Sequence, residues 1–218
     1  MPLWPRSGAP SPREAMALQG AWRERVVCEN RFERLECVGG VDVSVVGESA
    51  RAAICVFSWP DLQPLECATA TLPVEFPYVP GLLGFREVPA VAAAFARLAR
   101  RPDLLIVDGQ GRAHPRRFGV ATHVGVELDV PAIGCAKTCL VGEHRPVGAR
   151  RGSRARLVHG GETVGVALRT REGVREVYVS TGHRVDLATA ARIVLAGATR
   201  YRLPEPIRAA HRAASLAG

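Results

Sequence analysis

Lysine is almost missing from this chain. Its 29 basic residues include one lysine, Lys137, and all the others are arginine. Arginine in this excess reflects either a GC-rich coding sequence or a polyanionic partner, since Lys and Arg release counterions from phosphates. The six cysteines (Cys28, Cys37, Cys55, Cys67, Cys135 and Cys139) contain no CxxC pair. That spacing excludes the usual zinc ribbons and speaks against a disulfide framework, leaving reduced, core-filling thiols as the expectation. No apolar run reaches the ~18 residues of a membrane span. The first residues, MPLWPRSGAPSPRE, lack the charged-then-apolar order of a secretion signal. A cytoplasmic protein without membrane contact is therefore expected. There is no internal repeat, which excludes solenoids and propellers.

What remains is a globular composition: 218 residues, 47% hydrophobic, with a net charge of +8. One domain over 1–218 fits that length, with residues 1–10 Pro-rich and frayed. Ser11-Pro12-Arg13-Glu14 reads as a helix cap with Pro in the first turn, opening a helix to about Val27. Runs rich in Val, Ile, Thr and Cys then predict strands at 36–46, 52–57 and 65–74, joined by short turns as an antiparallel meander. A helix follows Pro89 to about Arg100. Beyond it come a strand at 104–107, a helix near 119–128 and a strand at 132–136. Two later strands near 157–168 and 174–179 precede a helix over 187–195, and Arg145–Arg156 reads as a basic loop. Three antiparallel strands followed by parallel ones, flanked by helices, make a mixed α/β sheet of the ribonuclease H-like kind.

The chemistry gathers around 103–140. Asp108 ends the apolar run Leu104–Val107, and an acid at the carboxyl end of a parallel strand points into the crevice where ligands bind. Gly109 and Gly111 let backbone approach a ligand, with a turn-forming Asp-Gly as the alternative. Asp42 alternates with valines in Val41–Val45 and needs a cation, an arginine or donors if buried. Glu87, after Arg86, stands before a helix, where it either holds a ligand or complements the dipole. Asp42, Glu87 and Asp108 form an oxygen-only set that suits Mg²⁺ or Mn²⁺ rather than zinc. Pro77-Tyr78-Val79-Pro80 puts one ring between prolines, as a wedge for a base stack or a cover for a core edge. Arg116, Arg117 and Lys137 are either phosphate ligands or solvated charges.

The motifs FPYVPGLLGFRE, VDGQGRAHPRRFGVATHVG, VPAIGCAKTCL, STGHRVDL and YRLPEPIRAAH occur in that order between about Val38 and His211. Together they resemble endonuclease V, the deoxyinosine 3′-endonuclease. The resemblance implies a ribonuclease H-like fold and recognition of hypoxanthine in nucleic acid. It also implies hydrolysis of the phosphodiester one nucleotide 3′ to the lesion, leaving 3′-hydroxyl and 5′-phosphate ends. It assigns Asp42, Glu87 and Asp108 to metal, and His211 to a position beside the attacking water. Lys137 falls near the scissile phosphate. Pro77, Tyr78, Val79 and Pro80 form the wedge, and Gly81, Leu83, Gly109, Gly111 and Leu140 line the pocket for the flipped base. His114 and Arg86 are further active-site residues. Gln110, Gly84, Cys135 and Cys139 depart from residues common in relatives. The expected partner is inosine-containing DNA, handled by a monomer. An endoribonuclease acting on inosine and a non-catalytic lesion-binding protein are the alternatives.

Overall fold

The computed structural model describes residues 8–215. Most of the N-terminal stretch expected to fray lies outside them. One sheet of eight strands organises the chain, in the order β3-β2-β1-β4-β5-β8-β7-β6. Strands β1 (Cys37–Val46), β2 (Ser49–Ser58) and β3 (Pro64–Pro73) form the expected meander. Strand β4 (Leu104–Val107) runs parallel to β1, and β5 (Ala132–Ala136) runs parallel to β4. The sheet closes with the antiparallel strands β6 (Arg154–His159), β7 (Glu162–Leu168) and β8 (Val177–His183).

Strand β4 shows why the sheet is central. Its four aliphatics are all buried, so it faces apolar layers on both sides. Leu105 and Val107 join the layer of α2 (Gly84–Ala96) and α3 (Val120–Leu128). Leu104 and Ile106 join that of α4 (Leu187–Gly197) and α5 (Glu205–Ser215). Gly40 lets α5 lie close on β1, because a Cβ there would collide with the backbone of Pro206 and Ile207.

Several expectations need correction. Helix α1 (Pro12–Trp22) starts at its Ser11–Glu14 capping box as read but stops at Trp22. A 3₁₀ turn follows, Val26 is extended, and Val27 is bonded to the β8 end through His183 and Arg184. Helix α2 begins at Gly84, not after Pro89. Proline removes one helical hydrogen bond, and the seven residues that α2 buries keep it helical regardless. Glu87 therefore sits inside the first turn rather than before the helix. The expected single strand over 157–168 is a hairpin, β6–β7, turned by Gly160-Gly161, both at positive φ. Part of the expected basic loop is strand β6.

The thiols also differ from expectation. Cys55 and Cys67 are direct partners across β2 and β3, their Cα atoms 4.0 Å apart, and they form a disulfide. Register, which Cys spacing does not reveal, brings them together. Cys37 and Cys135 are buried and free, as expected, whereas Cys28 and Cys139 are exposed.

Candidate active site

The register that pairs Val41 of β1 with Val107 of β4 sets the next residues, Asp42 and Asp108, side by side. The backbone N–H of Asp108 donates to the Val41 carbonyl at 2.9 Å, fixing that alignment. Both carboxylates are largely buried, with side chains 12% and 9% exposed. Each has one cationic or imidazole partner. Lys137, just beyond β5, places Nζ 2.5 Å from Asp108 Oδ2. His211, on α5, places Nδ1 2.7 Å from Asp42 Oδ2. Burial, and then the charge on Asp108, raises the Asp42 pKa.

Glu87 reaches the same region from α2. Burial, and then the charges on Asp42 and Asp108, raise its pKa from 4.5 to about 8, with Arg86 opposing. Three acids from three elements thus repel one another across a shared space. Among the described residues no three His, Cys, Asp or Glu side chains are drawn together into a preformed metal cage. The chemistry of the set nevertheless fits a hard divalent cation. It offers only oxygen donors, and their mutual repulsion is what such an ion relieves.

Beside the acids lies a cavity of about 420 Å³. Tyr78, Val79, Pro80, Gly81 and Leu83 line it from one side, Gly109 from the β4 end, and Lys137 and Leu140 from beyond β5. Asp108 lies on its wall. Pro77 and Gly111 are not among its lining residues. Gly111 is packed behind, donating to Ser180 Oγ at 2.9 Å, and a Cβ there would strike the Thr181 carbonyl. The Tyr78 ring is 72% exposed, so it does not cover a core edge, and the Arg86 guanidinium stands 5.8 Å from its centroid.

The carbonyl of Gly81 anchors the Tyr78 loop. It accepts from Gln19 Nε2 at 3.0 Å and Arg116 Nη2 at 2.8 Å, with His114 Nε2 at 3.0 Å. Because His114 Nδ1 accepts the Arg116 backbone N–H at 3.2 Å, Nε2 carries the ring proton and donates. Burial, and then the Arg116 charge, lowers the His114 pKa from 6.5 to about 4, keeping the ring neutral.

Arg116 and Arg117 are both tied to other parts of the chain. Arg116 is committed to Gly81 and to Gln19 Oε1. Arg117 binds Glu162 Oε2 at 2.7 Å, the carbonyls of His114 and His159, and the His159 ring.

Two cavity residues escape a sequence reading. Gln19 is 2% exposed, and a polar residue one turn after buried Ala15 on the buried face of α1 was the available signal. Gln110 donates Nε2 to the Thr138 carbonyl at 2.8 Å, which orients its amide. Its buried Oε1 is left without a partner among the described residues.

A mixed sheet that aligns acids on adjacent parallel strands, beside a lysine and a deep cavity, defines the class: a nuclease of ribonuclease H-like fold. A sequence model described as Endonuclease V matches residues 21–212. Endonuclease V of Roseiflexus sp. (strain RS-1) is 53% identical over 97% of this chain and 94% of its own. The crystal structure of Endonuclease V from Streptomyces avermitilis superposes with a TM-score of 0.91 at 42% identity, covering 98% of this chain and 96% of that one. Endonuclease V of Ciona intestinalis, solved with a 23mer DNA containing an inosine followed by a ribo-adenosine, gives a TM-score of 0.83 at 26% identity, covering 93% and 94%. The chain belongs to the endonuclease V family.

Proposed function

We propose that this nuclease recognises hypoxanthine in DNA and, with Mg²⁺ or Mn²⁺, hydrolyses the phosphodiester one nucleotide 3′ to it. The observation that carries the reading is the meeting of three mutually repelling carboxylates with a cavity of about 420 Å³ at Asp108 and Lys137. The DNA in the Ciona complex contains an inosine, which supports the lesion assignment.

Asp42, Glu87 and Asp108 would hold the cation, which when bound polarises the scissile phosphate and offsets charge on the leaving oxygen. Lys137 then exchanges Asp108 for a phosphate oxygen. Asp42 orients His211 through Nδ1, leaving Nε2 of the neutral ring as acceptor for a proton from the attacking water. Water oxygen bonds to phosphorus, the P–O3′ bond breaks, and the 3′-oxygen gains a proton. The phosphate stays on the downstream strand. Tyr78, exposed on an anchored loop, is suited to fill the stack that the extruded base vacates. Hypoxanthine offers an N1–H where adenine offers an acceptor, and Gln110, which lines the cavity, carries a buried Oε1 acceptor without a partner among the described residues.

The test is incision of a labelled deoxyinosine duplex with Mg²⁺. Wild type should cut one nucleotide 3′ to the lesion and Asp108→Ala should not; equal products from both proteins would overturn the assignment. The ribo-adenosine after inosine in the Ciona complex favours, as a second reading, action on inosine in RNA. Matched DNA and RNA duplexes decide between them, because the 2′-hydroxyl is the group a protein reads.

A further inference from the structure

A second cavity, of about 390 Å³, lies across Lys137 from the first. Lys137 lines both, so the two spaces share that residue. The second is walled by Arg202, Arg208 and Arg212 together with His211 and Tyr201, and no carboxylate lines it. Helix α5 builds this wall from its sequence. Ile207, Ala210 and Ala214 turn into the core, and Arg208, His211 and Arg212, at helical spacing of three and four, share the opposite stripe.

The guanidiniums are held in place but not used up. Arg208 lies over the Tyr201 ring, 3.2 Å from its centroid, and its Nη1 is a buried donor without a partner among the described residues. Arg202 Nη2 is fixed by the carbonyls of Lys137 at 2.5 Å and Glu176 at 2.6 Å, while its Nε has no partner among the described residues. A cavity walled by three arginines, a lysine and a histidine, with no carboxylate among its lining residues, suits an anion with several oxygens. Tyr201 is half exposed and lines the same cavity.

We propose that this cavity seats the nucleotide on the 3′ side of the cut, with Arg208 and Arg212 gripping its 5′-phosphate and Tyr201 beside its base. The assignment rests on the function proposed above. It follows from order along the strand: lesion in the first cavity, one intervening nucleotide, scissile phosphate at Lys137, departing nucleotide in the second.

The experiment uses the full chain and a deoxyinosine duplex nicked one nucleotide 3′ to the lesion. The nick carries either a 5′-phosphate or a 5′-hydroxyl, and binding is read by fluorescence anisotropy. Wild type should prefer the 5′-phosphate by at least about tenfold, as expected for charge-assisted bonds to a phosphate. Arg208→Gln and Tyr201→Leu should reduce that preference to within about twofold, while keeping wild-type preference for inosine over adenine in the same duplex. If Arg208→Gln fails to fold by thermal melting, Arg212→Gln, at an exposed position on the same wall, carries the test. Equal binding of the two nicked duplexes by wild type overturns the proposal, as does an undiminished preference in the folded variants. Loss of inosine preference by wild type, with the phosphate preference intact, would instead overturn the lesion reading.

Discussion

Glu87 should make the metal-free protein less stable than its own glutamine variant. Its carboxyl titrates near 8 in the folded chain, against 4.5 for an ordinary glutamate. The acid is raised, so between those two values the folded state binds more protons than the unfolded one. Stability is then unaffected by Glu87 below about pH 4.5 and falls as the pH rises toward 8. A gap of about 3.5 pH units at ~1.4 kcal/mol each sets a ceiling of ~5 kcal/mol. Glu87 keeps partial access to solvent, and relaxation there reduces the effect to ~2–3 kcal/mol, the lower end of what charge burial costs in real proteins. For a chain of this size that corresponds to roughly 5–10 °C in Tm. The assay is thermal melting of wild type and Glu87→Gln in EDTA, from pH 4.5 to 8. The two curves should meet at the acid end and diverge with rising pH, the variant melting higher. Adding Mg²⁺ should then raise wild type more than the variant, since a ligand that binds only the folded state stabilises it. Melting temperatures that run in parallel across the whole range would refute the reasoning that the three acids strain one another.

Tyr78→Ala should weaken binding of an inosine duplex roughly tenfold, the scale of one lost base–aromatic stack, without changing Mg²⁺-induced stabilisation. Equal incision rates by both proteins at limiting enzyme would rule out insertion. Gln110→Leu should cut discrimination between inosine and adenine by about tenfold, measured as the ratio of kcat/KM on paired substrates; an unchanged ratio removes Gln110 from base reading. Glu162 is held below the usual carboxylate range first by its hydrogen bond to Arg117 and then by Arg112. A depressed acid contributes stability above its unfolded pKa and loses it as pH falls through the folded value, so Glu162→Gln should lower Tm at pH 7 and converge with wild type below pH 4. A constant difference at every pH would show that packing, not the ion pair, is responsible.

The parts legible in the sequence are those where one local signal suffices. Leu104–Val107 is a short apolar run between two Asp residues and Ala132–Ala136 one between Pro131 and Lys137, and both strands begin and end where that pattern does. The Ser11 cap needs only four residues. Where signals compete, tertiary packing decides. Pro89 argued for a helix start, yet the buried face of α2 carries the helix through it. Gly160-Gly161 split an expected strand because a glycine pair at positive φ permits a tight turn. Arg116 and Arg117 looked like surface charges or phosphate ligands. Their acceptors, Gly81 and Glu162, are 35 and 45 residues away, beyond any local pattern. Distance likewise hid Gln19, whose acceptors are 62 and 99 residues away, while strand register hid the pairing of Cys55 with Cys67. The acids were visible because a carboxylate in a strand of valines is costly wherever the strand goes. Their adjacency, by contrast, depends on the pairing of β1 with β4.

The three donors that converge on the Gly81 carbonyl bear on time rather than affinity. A lesion finder meets vast numbers of ordinary bases for each altered one, and its dwell at each is short. A loop that had to order itself at every base would add nanoseconds to microseconds to each trial. With Gln19, His114 and Arg116 holding Gly81, the Tyr78 loop is ordered when the chain folds. The ordering is done once per protein molecule instead of once per base examined. Because the burial-lowered His114 stays uncharged well below neutral pH, the anchor keeps its donor pattern throughout the range in which such a search takes place.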